Sequence, residues 1–307
     1  MPFDKLRERN ASSGNEKLRS TEVTRTANYV VAYEATERGR EAVELGIALA
    51  RLTEAELRIC LVLPQSTAVP AKVPASAADY EGIIAQQAQL WLDEAIQNVP
   101  ADVTATTHVL WAESTSEGLI EAAEAFDSDR IVVGAARTGI LKRFSIGSVA
   151  NALLHASPVP VALAPRGYRA PERISRITCA IGTRVGWEAL LDSMVAISEG
   201  LDVELRFVTL VEVGAGESRP ISSDEHLLTV LDYFSEREKT EGILSTEVAE
   251  GPSVEAAVEA LGWRDDEIAF VGSSRLASPS RIFLGATANR MLHSLPVPLI
   301  VVPNDAD

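Results

Sequence analysis

One glycine-bearing segment occurs twice in this chain, 138 residues apart. The first copy runs Gly134-Ala-Ala-Arg137, then nine residues, then Gly147-Ser148-Val149-Ala150-Asn151. The second runs Gly272-Ser-Ser-Arg275, nine residues, then Gly285-Ala286-Thr287-Ala288-Asn289. Both continue without a gap through Leu154-His155 or Leu292-His293 to Pro158-Val159-Pro160 or Pro296-Val297-Pro298. From Gly134 to Pro165, 12 of 32 positions match Gly272 to Pro303. Solenoid units repeat every 20–50 residues or so, whereas this period has the length of a whole domain. The chain therefore reads as two copies of one fold, with the doubled segment as the place to seek a site.

Each half alternates strand-like and helix-like runs in the same order. In the first half, strands are expected at 28–33, 57–63, 103–111, 130–134 and 159–164, with helices at 37–52, 79–98, 114–126 and 148–156. The helix at 37–52 rests on a stripe of Ala42, Leu45, Leu49 and Leu52 at helical spacing. In the second half, strands are expected at 177–181, 203–211, 243–249, 267–272 and 297–302, with helices at 187–199, 223–240, 254–261 and 287–293. Residues 65–78 read as a loop. Strands separated by helices need crossovers, so the sheet should be parallel and covered on both faces. The expected domains are 28–165 and 174–303, joined by a linker over 166–173 that holds Gly167 and Pro171. Residues 1–27 lack hydrophobic periodicity and read as a flexible tail.

Charge narrows the partners. The net charge is −16, and because residues 1–27 carry +2 the body carries −18. Such a surface repels nucleic acid and anionic lipid. No apolar run is long enough to cross a bilayer and no secretory signal is visible, so a cytoplasmic location is expected. Cys60 and Cys179 lie in apolar strands and read as buried reduced thiols. No His/Cys cluster has metal-ligand spacing, so no metal is expected. His155 and His293 near helix ends, and His108 and Trp111 on a strand, read as structural. Neither the phosphate-loop nor the dinucleotide glycine fingerprint is present, and no nucleophile–base pair marks an enzyme.

The glycine segment has a chemistry of its own. Gly134 ends a strand, where glycine permits a positive φ or close approach of a ligand to the backbone. Gly147 opens a helix and leaves its first amides uncovered, with the positive end of the helix dipole behind them. Ser148 adds a hydroxyl. The intervening loop carries Gly139, Lys142 and Arg143. In a doubly wound sheet this segment falls at the carboxyl ends of the strands, where ligands bind.

The run Val133-Gly134 through Gly147-Ser148-Val149, ending in Pro158-Val159-Pro160-Val161, resembles the C-terminal half of universal stress protein domains. The resemblance covers both halves as a tandem. It implies a five-stranded sheet in the order 3-2-1-4-5 for each half, and an adenine nucleotide (ATP, ADP or AMP) held by a Gly-x2-Gly-x9-Gly-[Ser/Thr] motif. It also implies pairing of the last strands into an internal pseudo-dimer and a further two-fold homodimer. In this chain the middle glycine is replaced by Arg137 or Arg275. Each is joined by Arg143 or Arg281 at matched spacing, and each could clamp phosphate or fill its space and pair with a carboxylate. The nucleoside-binding Asp of the family falls on Glu34 in the first half and Gly182 in the second. Gly285 is followed by Ala286 rather than Ser, with Thr287 one residue on. The expected function is a non-catalytic stress-response regulator that binds an adenine nucleotide in the first half and contacts an unidentified protein partner. The alternative is a ligand-free interaction pseudo-dimer.

Overall fold

The structure, a computed structural model, describes residues 26–65, 76–135, 147–182, 187–198, 201–214, 222–237, 244–273, 282 and 284–303. The first half runs β1 (Asn28–Ala32), α1 (Glu37–Thr53), β2 (Glu56–Pro64), α2 (Ser76–Gln97), β3 (Ala105–Ala112), α3 (Thr115–Ala125), β4 (Arg130–Gly134), α4 (Ser148–Ala156) and β5 (Val161–Ala164). The second runs β6 (Arg176–Ala180), α5 (Trp187–Ser198), β7 (Glu204–Glu212), α6 (Ser222–Arg237), β8 (Leu244–Gly251), α7 (Val254–Ala260), β9 (Glu267–Gly272), α8 (Ala286–Ser294) and β10 (Leu299–Val302).

Local chemistry sets the helix ends. Thr36 caps α1 by accepting from Gly39 N, Ser114 caps α3 from Glu117 N, and Ser253 caps α7 from Ala256 N. At the far end of α1, Glu54 turns into the left-handed region at φ 55° and returns its N–H to Ala50 O. Helices α4 and α8 differ: their caps are Gly147 and Gly285, and neither has a side-chain cap.

The ten strands form one sheet in the order β3-β2-β1-β4-β5-β10-β9-β6-β7-β8. Within each half all pairs are parallel, in the order 3-2-1-4-5. Only the central pair is antiparallel, with Leu299 opposite Leu163, Ile300 opposite Ala162 and Val301 opposite Val161. One apolar layer, under α1, α2, α5 and α6, gathers Leu45, Leu49, Leu92, Leu191, Met194 and Val230. The other, under α3, α4, α7 and α8, gathers Leu119, Leu153, Leu154, Val258, Met291 and Leu292. Each layer draws residues from both halves.

The last strand of each half begins two residues later than the sequence suggests, at Val161 and Leu299. Pro160 and Pro298 have no N–H for a ladder; they touch the sheet through carbonyls that accept from Ile131 N at 3.0 Å and Ala269 N at 2.9 Å. Helix α2 begins at Ser76 rather than Asp79.

The halves differ most in how the second is braced. Glu267, at the start of β9, is fully buried. Its carboxylate accepts from Arg176, Thr178 and Arg206, and from Arg264 N at 3.0 Å. Arg206 also lies over the Trp263 ring, 5.2 Å from its centroid. At the matched first-half positions stand Asp129, Asn28, Val30 and Arg58, where Asp129 accepts from Asn28 N and Arg58 pairs with Glu56. A second brace is Arg290 on α8, which bonds both oxygens of Glu212 and both of Glu255 at 2.8–3.1 Å. It ties α8 to the end of β7 and the first turn of α7.

Removing one charge from a buried network strands the others, so Glu267→Gln should cost about 3 kcal/mol or more in urea unfolding followed by circular dichroism. Asp129→Asn should cost only about 1 kcal/mol. The hydrogen bond from Arg290 holds the Glu255 carboxyl at about 2, down from 4.5. The stability this contributes is present above pH 4.5 and is lost as pH falls toward 2. Replacing Arg290 with Leu should therefore flatten the fall in melting temperature over that window.

Candidate functional site

Strand β1 lies between β2 and β4, and the crossovers leaving β1 and β4 place helices α1 and α4 on opposite faces. The carboxyl ends of β1 and β4 therefore part into a crevice, the switch point of a doubly wound sheet. Glu34, just beyond β1, forms one wall, and Gly134, Gly147 and Val149 form the other. The Gly147 N-cap is extended, at φ −74° and ψ 167°. With no side chain over it, the first amides of α4 have no partner within the helix. Ser148, the first residue of α4, is exposed.

Two expectations change in detail. The Glu34 carboxylate is paired with Arg38 Nη2 at 2.5 Å, one helical turn on, and its side chain is 42% exposed. Any hydroxyl that uses Glu34 must share it with a guanidinium. Gly134 does not take a positive φ; among the described glycines only Gly167 does. Its missing side chain admits the start of α1, because a Cβ there would sit 2.2 Å from the Arg38 carbonyl oxygen and 2.6 Å from Arg38 Cγ. Gly39 is under the same constraint, with its Cβ position 2.0 Å from Glu34 O. These two glycines let α1 press against β1 and β4, which is a packing duty. Arg137, Gly139, Arg143, Arg275 and Arg281 lie outside the described residues, so the two readings of the arginines stand as they were.

The matched crevice of the second half is built differently. Gly182 stands where Glu34 stands, exposed and with no atom of the described residues within 4 Å of its Cβ position. A Cβ on Gly272 would touch Leu190 at an ordinary 3.6 Å, so this glycine does not carry the constraint of Gly134. Gly285 repeats the uncapped, extended N-cap of Gly147. Ala286 takes the place of Ser148, and Thr287 is exposed on the first turn of α8. The Arg290 brace has no counterpart in the first half, where Ala152, Pro64 and Ser116 occupy the matched positions.

Sequence reading missed Arg38, Tyr33, Cys60 and Thr115, all of which line the first crevice. Burial pushes the Cys60 thiol up to about 12 and raises Tyr33 as well, with the Glu94 carboxylate adding to the latter. Both side chains are therefore neutral at pH 7. The capping pattern Ser114-x-x-Glu117 could have flagged Thr115, since it places α3 directly after β3 at the same end of the sheet. Cys60 and Cys179 are free and buried. His155 caps its own helix through Asn151 O at 2.7 Å, and His108 packs against Phe126. Trp111, expected to be packed, is 39% exposed.

A cleft of about 970 Å³ lies elsewhere, at the amino ends of β1 and β4, where α1 approaches α5. Five carboxylates, Glu54, Asp102, Asp129, Glu172 and Asp202, line it with three arginines, of which Arg51 is paired with Asp102 and Arg173 with Asp202, while Arg130 lies over the Tyr29 ring. With the C-terminus of α1 opening into it as well, the potential there is set against a phosphate. Among the described residues no group of His, Cys, Asp and Glu could hold a metal ion, and no described helix is long and apolar enough to cross a membrane.

Comparison with known proteins agrees with this architecture. A protein of Mycobacterium bovis, Universal stress protein Mb2346c, is 27% identical over 293 residues, which cover 89% of this chain and 99% of that one. Universal stress protein Rv2319c of Mycobacterium tuberculosis H37Rv matches to the same extent. Among solved structures, a universal stress protein from Archaeoglobus fulgidus DSM 4304 superposes with a TM-score of 0.69 at 17% identity, covering 90% of this chain and 98% of that one. A putative universal stress protein from Pseudomonas aeruginosa UCBPP-PA14 reaches 0.58 at 16% identity, covering 91% and 94%. The model of the universal stress protein family matches residues 27–165 and again 174–303. The chain belongs to that family, and carries its domain twice.

Proposed function

We propose that the first half binds an adenine nucleotide without dedicated catalysis, and that the second half serves as its structural partner. The observation that carries this reading is the inequality of two crevices built on one plan. Both offer an uncapped helix N-terminus behind a glycine, which suits a phosphate. Only the first adds a carboxylate for ribose hydroxyls, Glu34, and a serine hydroxyl at the first helical position, Ser148. In the second, Gly182 and Ala286 supply neither. The candidate ligands are AMP, ADP and ATP, and binding would serve a stress-response role through altered association with a protein partner.

A second reading has its own support. The Glu34–Arg38 pair satisfies the carboxylate internally, and the crevice encloses only about 30 Å³, room for no more than a few waters. These features favour a domain that keeps the fold for association alone.

Calorimetric titration separates the two. A charge-assisted hydrogen bond from Glu34 contributes roughly 1.5–3 kcal/mol and a serine hydroxyl about 1 kcal/mol, so the first site should bind about a hundredfold more tightly than the second. Gly147→Asp should abolish binding, Gly285→Asp should leave it intact, and Glu34→Gln should weaken it tenfold or more. Arg38→Met, which frees Glu34, should tighten it. Equal loss from the two glycine variants would contradict the asymmetry. Absence of heat with all three nucleotides would favour the ligand-free reading.

A further inference from the structure

The two outermost strands of the ten-stranded sheet are β3 and β8, and among the described residues each is paired on one side only. An unpaired edge is a template for another strand, and proteins usually blunt it with charge. Strand β8 is blunted: it carries Glu247 and Glu250. Strand β3, Ala105-Thr-Thr-His-Val-Leu-Trp-Ala112, has eight residues and no Asp, Glu, Lys or Arg. In a chain of net charge −16, a charge-free edge of that length is an exception.

Register shows which groups it offers. Leu57 N donates to Thr104 O at 2.9 Å, and Gln65 N donates to Ala112 O at 2.8 Å. In a parallel strand the N–H and C=O of one residue point the same way and alternate along the chain. Thr106, His108 and Leu110 therefore face β2, and Ala105, Thr107, Val109 and Trp111 turn their amides and carbonyls outward. Trp111, 39% exposed, adds a large ring at the carboxyl end of that edge.

We propose that β3 is a homodimerisation edge, and that its occupant is β3 of a second copy running antiparallel. A second copy is favoured over a strand of another protein by three arguments. A register centred on His108 brings Ala105 opposite the partner's Trp111 and Thr107 opposite the partner's Val109, so all four outward residues of each copy find hydrogen-bonding mates. The same register sets the Trp111 ring against a small methyl on one face of the joint sheet. Finally, the chain already joins two charge-free edges in this way, where β5 (Val-Ala-Leu-Ala) meets β10 (Leu-Ile-Val-Val) antiparallel. Pairing β3 with itself is isologous and closes at two copies, whereas β3 on β8 would propagate. The product is one continuous sheet with a β8 at each end, both carrying glutamates.

Sedimentation equilibrium on the full chain tests this at micromolar concentration. The wild type should sediment at about twice its 32.9 kDa. Thr107→Pro removes an outward N–H that the β2 ladder does not use, a site where an edge strand tolerates proline. Trp111→Lys places a charge on the edge. Each should raise the dimer dissociation constant at least tenfold while the far-ultraviolet circular dichroism stays unchanged. Thr246→Pro is the matched control on β8, where the Val213 N to Gly251 O bond puts odd-numbered residues toward β7; it should leave the dimer intact. If Thr107→Pro unfolds the chain, hydrogen exchange on the wild type still decides, because amides 105, 107, 109 and 111 should gain protection as concentration rises. A wild type that stays at 32.9 kDa, or a dimer that both β3 variants leave unchanged, would overturn the proposal.

Discussion

Everything in this molecule hangs on a junction of three residues against three. Strands β5 and β10 are each the last strand of a five-stranded unit, and each would otherwise expose a flat apolar edge. Pairing them antiparallel satisfies both ladders at once and merges two sheets into one. It also merges the cores. Val161, Leu163, Leu299 and Val301 share one apolar layer with α4 and α8, so neither half closes its interior without the other. Residues beyond the strands reinforce the join, since Ile282 N donates to Ser157 O and Leu284 N to Leu154 O across the boundary between halves.

Much of this was legible in the sequence, because strand–helix alternation is written in local apolar spacing. Arg130–Gly134, Ser148–Ala156 and Glu267–Gly272 are found at the expected residues. Their ends are set by glycine or by a sharp change of polarity, which are local signals. Strand order came from family resemblance rather than from spacing. The Pro-Val-Pro runs misled because their valines look like strand, while the prolines keep the N–H ladder from starting until the next residue.

The site was legible in part, and the failures share one cause. Which atoms surround a residue is not a local property. Gly134 looked like a glycine that makes room for a ligand, yet the group it makes room for is the Arg38 backbone, about a hundred residues earlier in the chain. Glu34 was found through the family resemblance, which did not say that Arg38 would turn back onto it. The Glu267 network joins positions 176, 178, 206 and 267. Thr178, Arg206 and Glu267 fall in expected strands and Arg176 just before one, and only the parallel register brings them together. Trp111 was assigned to packing from its place on a strand, and the edge position of β3 leaves it partly bare.

The bonds from Ile282 and Leu284 give α4 two loyalties. Its N-terminus, at Gly147, borders the crevice of the first half. Its C-terminal turn holds, through Leu154 O and Ser157 O, the chain that runs into Gly285 and so into the crevice of the second half. A helix of nine residues spans about 14 Å and behaves as a stiff rod over that distance. A force applied at one end is felt at the other with little lost to bending. The two crevices belong to different domains by sequence, but mechanically they sit at opposite ends of one short lever.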